Sequence, residues 1–319
     1  MSSIHKLLNF SLPIITLILI PILMVPYLFV KLLLSVKKVV CSENLARKVV
    51  IITGAASGIG EQLAYEYARR GALLSLVDIR KDNLGAVANK ARSLGSPNVI
   101  ILGADVSKVQ DCKQFVDETL NHFGRLDHLV NNAGICKSEA VENVDDVSLV
   151  TPIMDVNFWG AVYGTLFAIP HLKSSKGKIV VVASAGGWFP VPRFSIYNAS
   201  KAAAINFFET LRIELGWAIG ITIVNPGGIE TPLSDTLIKQ GDKEAFIPLE
   251  TAAECAKAIV ESVCKGDMYV TEPSWVKVLY SWKLFFPEVM DFVNRFAFRC
   301  MPDKLINLPS SQNLELKEH

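Results

Sequence analysis

The sequence predicts an α/β fold, a parallel sheet covered on both faces by helices, preceded by a separate hydrophobic anchor. Three observations carry this. Short apolar runs alternate with segments of helical periodicity from residue 48 onward. A glycine-rich turn joins the first run to a helix. Polar or glycine residues end run after run, and on such a sheet these line one edge, beyond the carboxyl ends of the strands.

The anchor comes first. No charged residue occurs from Phe10 to Val30; Lys31 interrupts, and Leu32-Leu33-Leu34 precede Lys37 and Lys38. The stretch is long enough to span or embed in a bilayer. It lacks a small-x-small cleavage signature at its end, which argues against a removed signal peptide. It also lacks a polar face, which argues against a core helix. Pro13, Pro21 and Pro26 each remove a backbone donor. They suit a bent, one-sided insertion, so residues 1–40 are read as a monotopic anchor in a membrane or a lipid droplet. The basic residues Lys31, Lys37, Lys38, Arg47 and Lys48 lie mostly on its C-terminal side. That bias predicts a following domain that faces the cytosol.

Residues 48–53 form the first predicted strand, which runs into Gly54-Ala55-Ala56-Ser57-Gly58-Ile59-Gly60 and then a helix with Leu63, Ala64, Tyr67 and Ala68 at helical spacing. Glycines there let the backbone turn tightly and approach a pyrophosphate, whose charge a helix N-terminus stabilises. The second strand, residues 73–78, ends in Asp78, eighteen residues past Gly60. A carboxylate at that place can accept hydrogen bonds from an adenosine ribose and favours NAD. Arg80 could instead meet a 2′-phosphate, and Asp78 could simply cap the next helix. Helix 84–94, strand 99–102, Asp105-Val106, helix 109–122 and strand 126–130 follow, leading into Asn131-Asn132-Ala133-Gly134. No break in this alternation marks a separate substrate domain, so residues 41–272 are read as one catalytic domain.

A further buried strand, residues 179–183, precedes Ser184, and a helix covers 202–215. Tyr197 and Lys201, four residues apart, share one helical face. A free phenol titrates at roughly 10. A neighbouring ammonium favours the phenolate and draws the pKa toward neutrality. Alone, such a pair is usually structural; its weight here comes from the nucleotide elements before it.

The formal net charge is +1 and no basic block occurs, which argues against a nucleic-acid partner. The six cysteines show no metal-ligand spacing and are read as reduced; no metal is expected. His122, His128 and His171 are read as structural from their positions, and Cys136 is given no role. Residues 186–194, with Trp188, Phe189 and Phe194, suit a flat apolar substrate, or else form a packed loop or dimer contact. Residues 233–248 are expected to form a flap. Helix 251–264 and strand 268–271 close the domain. In the extension, residues 273–319, an apolar stretch from Trp275 to Phe286 could pack on the domain, lie on lipid or pair two subunits as a homodimer; lipid contact is favoured. A polar tail over 308–319 is expected to be disordered.

Together, Thr53-Gly54 with Gly58-Ile59-Gly60, then Asn131-Asn132-Ala133-Gly134, Asn157, Ser184, Tyr197, Lys201, and Pro226-Gly227 followed by Thr231 resemble the short-chain dehydrogenase/reductase family. The resemblance implies a Rossmann-type doubly wound sheet of about seven strands and oxidation or reduction of an alcohol or carbonyl with NAD(P)(H). It implies Tyr197 as general acid/base and Ser184 orienting the substrate oxygen. Lys201 would act on the phenol and the nicotinamide ribose, and Asn157 would hold a water chain. Asp105-Val106 would face adenine, Asn132 would cross the cofactor groove, and Thr231 would meet the carboxamide. Phe158-Trp159-Gly160, residues 207–215 and Thr271-Glu272-Pro273-Ser274-Trp275 are similar to the steroleosins, oil-body hydroxysteroid dehydrogenases. Members of that branch often carry arginine in place of Asp78-Ile79 and are often described with NADP(H). The implied substrate is a hydroxysteroid. Retinol or fatty-carbonyl reduction and a non-catalytic sterol-binding coat are the competing functions.

Overall fold

Val49–Thr53 (β1) is buried at all of its positions, as an interior strand of a sheet covered on both faces must be. It is followed by α2 (Gly58–Arg69), β2 (Leu73–Asp78), α3 (Lys81–Ser93), β3 (Val99–Gly103), α4 (Val109–Phe123) and β4 (His128–Asn131). The short helix α5 (Thr151–Met154), a π-turn at Asp155–Trp159 and α6 (Gly160–Ser175) lead to β5 (Lys178–Val182). The chain continues through α7 (Ser195–Leu215), β6 (Gly220–Pro226), β7 (Ile229–Glu230), β8 (Glu250–Thr251), α8 (Ala252–Lys265), β9 (Tyr269–Glu272), α9 (Val276–Phe285) and α10 (Pro287–Ala297). The computed structural model describes residues 3–40, 42–235 and 248–297. The expected flap falls mostly, and the expected tail wholly, outside those residues.

Among the described residues, seven strands form one all-parallel sheet in the order β3-β2-β1-β4-β5-β6-β9. This is the predicted Rossmann-type doubly wound sheet. The order reverses between β1 and β4, and a crevice opens beyond the strand ends at such a switch point. Two cores cover the faces. Leu63, Tyr67, Leu84, Val87 and Ile259 pack on one side; Phe115, Val116, Leu172, Phe208 and Leu211 pack on the other.

Several boundaries differ from expectation. The helix expected over 202–215 begins at Ser195 and so contains Tyr197. The fourth strand starts two residues late, at His128, because the Asp127 carboxylate caps the sheet bottom by accepting from the Val49 N–H at 3.0 Å. Helix α6 carries no periodic signal in the sequence. It is apolar around most of its circumference and carries Gly160, Gly164 and Pro170, so it offers no amphipathic period.

The N-terminal segment is a single helix, α1 (Ser3–Val40), continuous through all three prolines rather than visibly broken by them. Its span Leu7–Leu32 is 26 residues with no part of its richest window buried, long and apolar enough to cross a membrane. At the helical rise this is about 39 Å, against roughly 30 Å of hydrocarbon.

Just past α1, Glu43 is tied to the bottom of the sheet, at the end opposite the crevice. Its carboxylate lies 2.7 Å from Lys178 Nζ, 3.6 Å from Lys48 Nζ and 3.3 Å from His128 Nε2. The fully buried His128 also meets the Tyr67 hydroxyl at 3.2 Å, consistent with a structural histidine. Burial alone would raise the Glu43 carboxyl, but His128 and Lys178 bring it down to about 2. A folded-state pKa below the usual value of 4.5 stabilises above that value, and the contribution fades as pH falls toward 2. Its ceiling is roughly 3 kcal/mol. Glu43→Gln should therefore lower the unfolding free energy at pH 7 and make little difference near pH 2, as read by urea melts at the two pH values.

Candidate active site

The turn between β1 and α2 is shaped by contacts that only glycine permits. Gly54 has φ +67°, and a Cβ on Gly60 would lie 2.1 Å from the Gly54 carbonyl oxygen. The turn is fastened from behind. Buried Thr53 accepts the Asn132 and Ala133 N–H groups on its hydroxyl at 3.0 and 3.1 Å, and Asn132 Nδ2 donates to the Thr53 and Gly54 carbonyls. Thr53 and Asn132 thus hold the turn against β4. The α2 N-terminus, at Ser57-Gly58-Ile59, has no side-chain cap. Its free N–H groups and the space kept open by Gly54 and Gly60 fit a pyrophosphate. Thr231 approaches from the opposite lip, its Cγ2 3.3 Å from where a Gly58 Cβ would stand.

At the end of β2, the Asp78 carboxylate accepts the Ala56 N–H at 3.0 Å and the Arg80 N–H at 2.9 Å. Arg80 folds back on it, Nε to Oδ1 at 3.1 Å, while Nη2 donates to Ser57 Oγ at 2.9 Å. Burial would raise the Asp78 carboxyl, but Arg80 and the two backbone donors hold it below the usual carboxylate range. The N-cap position of the helix α3 that follows is Arg80, with no side-chain cap bond, so Asp78 is not its N-cap. Asp105 is engaged locally, accepting from Ser107 N and Oγ at 3.0 and 2.7 Å, and Val106 is buried against Gly160.

At the other end of the crevice, Asn157 lies in the π-turn, a distortion frequent at functional sites. Its Oδ1 accepts the Ile135 N–H at 2.8 Å, and Nδ2 donates to the Ile135 carbonyl at 2.9 Å and to Ser200 Oγ at 3.0 Å. Ser200 in turn donates to the Tyr197 carbonyl at 2.7 Å. Ser200 is a positioning residue that the four-residue spacing of Tyr197 and Lys201 does not single out, although it stands between them, three residues after Tyr197. Lys201, 4% exposed, donates to the Val182 carbonyl at 3.0 Å, and its Nζ lies 5.7 Å from the Tyr197 ring centre. Gly134 fits between Asn157 Oδ1 and Lys201 Nζ, 3.2 and 3.4 Å from its hypothetical Cβ. Ser184 Oγ accepts the Gly186 N–H at 3.0 Å and faces the Pro226 carbonyl at 3.5 Å. Gly227 donates to the Glu272 carbonyl at 2.7 Å and fixes the far lip.

The electrostatics differ from expectation at one point. Burial pushes the Tyr197 phenol up to about 12, partly opposed by a hydrogen bond with Ser184. Burial likewise brings Lys201 down to about 8. The expected lowering of the phenol by its lysine neighbour is thus not present here, because desolvation dominates and the ammonium is turned to Val182. At neutral pH the phenol is protonated and can donate. Cys136 lies near Lys201, which pulls its thiol down, but burial wins and places it at about 12. Among the described residues no cluster of metal-ligating side chains occurs, and Cys112, Cys136, Cys255 and Cys264 are free.

The groove thus joins the glycine-lined turn at the α2 N-terminus, the Asp78 carboxylate and the group Ser184, Tyr197, Lys201 and Asn157 along one sheet edge. Residues 48–242, which hold all of these, match the short chain dehydrogenase family. The chain is a short-chain dehydrogenase. This dehydrogenase is 53% identical over 288 residues to 11-beta-hydroxysteroid dehydrogenase-like 4A of Arabidopsis thaliana, covering 90% of this chain and 96% of that one. It is 48% identical over 313 residues to 11-beta-hydroxysteroid dehydrogenase A of Sesamum indicum, covering 95% and 90%. Among solved structures, it resembles an alcohol dehydrogenase from the archaeon Thermococcus sibiricus complexed with 5-hydroxy-NADP, with TM-score 0.62 and 27% identity over 70% of this chain and 94% of that one. A Burkholderia phymatum short chain dehydrogenase/reductase in complex with NAD has TM-score 0.69 over 77% and 96%; at 24% identity it speaks for the fold. This short-chain dehydrogenase is therefore an oxidoreductase whose structural neighbours bind NAD or NADP.

Proposed function

We propose that the enzyme interconverts a hydroxyl and a ketone on a hydroxysteroid-like substrate at a lipid surface, with NAD(H) preferred. The observation that supports the chemistry is the hydrogen bond between Tyr197 and Ser184 with Lys201 Nζ 5.7 Å from the Tyr197 ring centre, on the same sheet edge as the glycine-lined turn. In reduction the protonated Tyr197 phenol donates its proton to the developing alkoxide, with Ser184 as a second donor. In oxidation the phenolate takes the hydroxyl proton. Lys201 supplies positive charge beside the ring, and Asn157 fixes the segment that faces it. The hydride acceptor or donor would be the nicotinamide of a bound dinucleotide. The protein orients the two partners and moves the proton.

The substrate class follows from the aromatic loop after Ser184 and from the named activity of the relatives. The lipid surface is supported by the exposed span of α1 and by Trp282, Phe285, Phe292 and Phe296 on α9 and α10, each at least 48% exposed. The cytosolic orientation extends this reading from the basic flank of α1, and a droplet or reticulum surface fits the oil-body relatives that the sequence resembles. Cofactor reduction by a panel of steroid alcohols, run with NAD and NADP on enzyme in lipid, tests the proposal. Turnover with short alcohols alone would refute the substrate class.

The cofactor preference rests on Asp78, whose charge opposes a 2′-phosphate. Asp78→Ala removes that charge and frees the Arg80 guanidinium. The ratio of kcat/KM for NADP over NAD should rise by about tenfold or more, a value typical of one charge-assisted hydrogen bond. An unchanged ratio would show that Asp78 does not set the preference.

A further inference from the structure

The loop joining Ser184 to Tyr197 has no strand to pair with, and Pro190 and Pro192 lack donors of their own. Its carbonyls are nevertheless met one after another. Lys283 Nζ donates to the Trp188 carbonyl. Asn294 Nδ2, on a residue 7% exposed, donates to the Pro190 carbonyl at 2.9 Å. Asn198 Nδ2 donates to the Val191 carbonyl at 3.1 Å, and the Glu139 N–H donates to the Arg193 carbonyl at 2.8 Å. The Trp188 ring also packs edge-on against Tyr280, 5.2 Å between centres. Three of these residues, Tyr280, Lys283 and Asn294, belong to α9 and α10, which lie beyond the family match that ends at residue 242. The two helices are themselves seated by buried Val276, which fills the space beside Gly227, and by buried Met290.

We infer that Lys283 and Asn294 are positioning residues for the apolar substrate, acting through the loop that follows Ser184. They touch neither Ser184 nor Tyr197. A cavity of about 490 Å³ lies between the loop, α7 and these two helices, and none of Ser184, Tyr197 and Lys201 lines it. The loop is thus a thin wall with open volume behind it, and without its two outer struts it can sag away from the substrate. A large rigid substrate that needs the wall would feel this; a short alcohol that needs only Ser184 and Tyr197 would not.

The inference rests on the proposed apolar substrate, and its test separates the two. Full-length wild type, Asn294→Leu and Lys283→Met are assayed with a steroid alcohol and with cyclohexanol. Dinucleotide affinity and tryptic cleavage after Arg193 are measured alongside. The expected result is a KM for the steroid about tenfold higher in each variant, with cyclohexanol kinetics and dinucleotide affinity unchanged and faster cleavage after Arg193. Asn294→Gln and Lys283→Arg should restore the steroid KM. The exposed Lys283 keeps the test valid if Asn294→Leu folds poorly. Unchanged steroid KM in the variants, or equal losses for both alcohols, would overturn the inference while leaving the proposed function standing. A wild type that oxidises cyclohexanol but no steroid alcohol overturns the proposed substrate class and this inference with it.

Discussion

Tyr197→Phe should lose at least about a thousandfold in turnover, within the range expected for removing a general acid/base, while dinucleotide affinity stays close to that of wild type. The substitution keeps the ring. It preserves the edge contact with Phe194, 6.4 Å between centres, and the cation–π approach of Lys201. Only the hydroxyl is lost, so folding is not at stake. The pH dependence has a defined sign. With the phenol raised to about 12 by burial, reduction uses its protonated form, which is fully populated at neutral pH. Oxidation needs the deprotonated form, so oxidative kcat/KM should climb as pH rises from 6 toward 8. Near pH 8 half of the Lys201 ammonium has lost its charge, and the climb should weaken from there upward. A pH-independent oxidative rate across that interval would remove Tyr197 as the base.

The second large effect is expected at Gly60. An added Cβ would stand 2.1 Å from the Gly54 oxygen and 2.5 Å from Asn132 Nδ2. Neither can yield cheaply, since the first is backbone and the second is already bonded to the Thr53 carbonyl at 2.9 Å. Gly60→Ala should cost about 1–3 kcal/mol of stability, as overpacking does, and should weaken dinucleotide binding by roughly a hundredfold through the widened turn. Gly85→Ala is the control. That glycine lies within α3 with nothing inside 4 Å of its hypothetical Cβ. There the change should stabilise by up to about 1 kcal/mol through helix propensity. Thermal melts and fluorescence titration with NADH distinguish the two outcomes.

Most of the groove was legible because its chemistry is local. Gly54, Gly58 and Gly60 stand between a strand and a helix, and strand ends deliver Asp78, Asn132 and Ser184 to one edge whatever the exact boundaries. Asp78 was visible, but its partner was not: that Arg80 folds back to bridge it to Ser57 depends on side-chain packing that no periodicity encodes. Likewise the direction of the Tyr197 shift could not be read from a four-residue spacing. The spacing places Lys201 beside the ring, whereas the balance between its charge and desolvation depends on how deeply both are buried. Helix α6 was hidden because it is apolar on nearly every side. The struts from Lys283 and Asn294 join residues about a hundred positions apart, a distance over which sequence pattern carries no signal.

The account stands on proton transfer by Tyr197 coupled to hydride transfer from a hydroxyl-bearing carbon. The most direct test uses a steroid alcohol deuterated at that carbon, with NAD and NADP in parallel, and mass analysis of the recovered dinucleotide. Wild type should move one deuterium to the nicotinamide ring, and Tyr197→Phe should move almost none in the same time. Equal deuterium transfer by the two proteins would contradict the account.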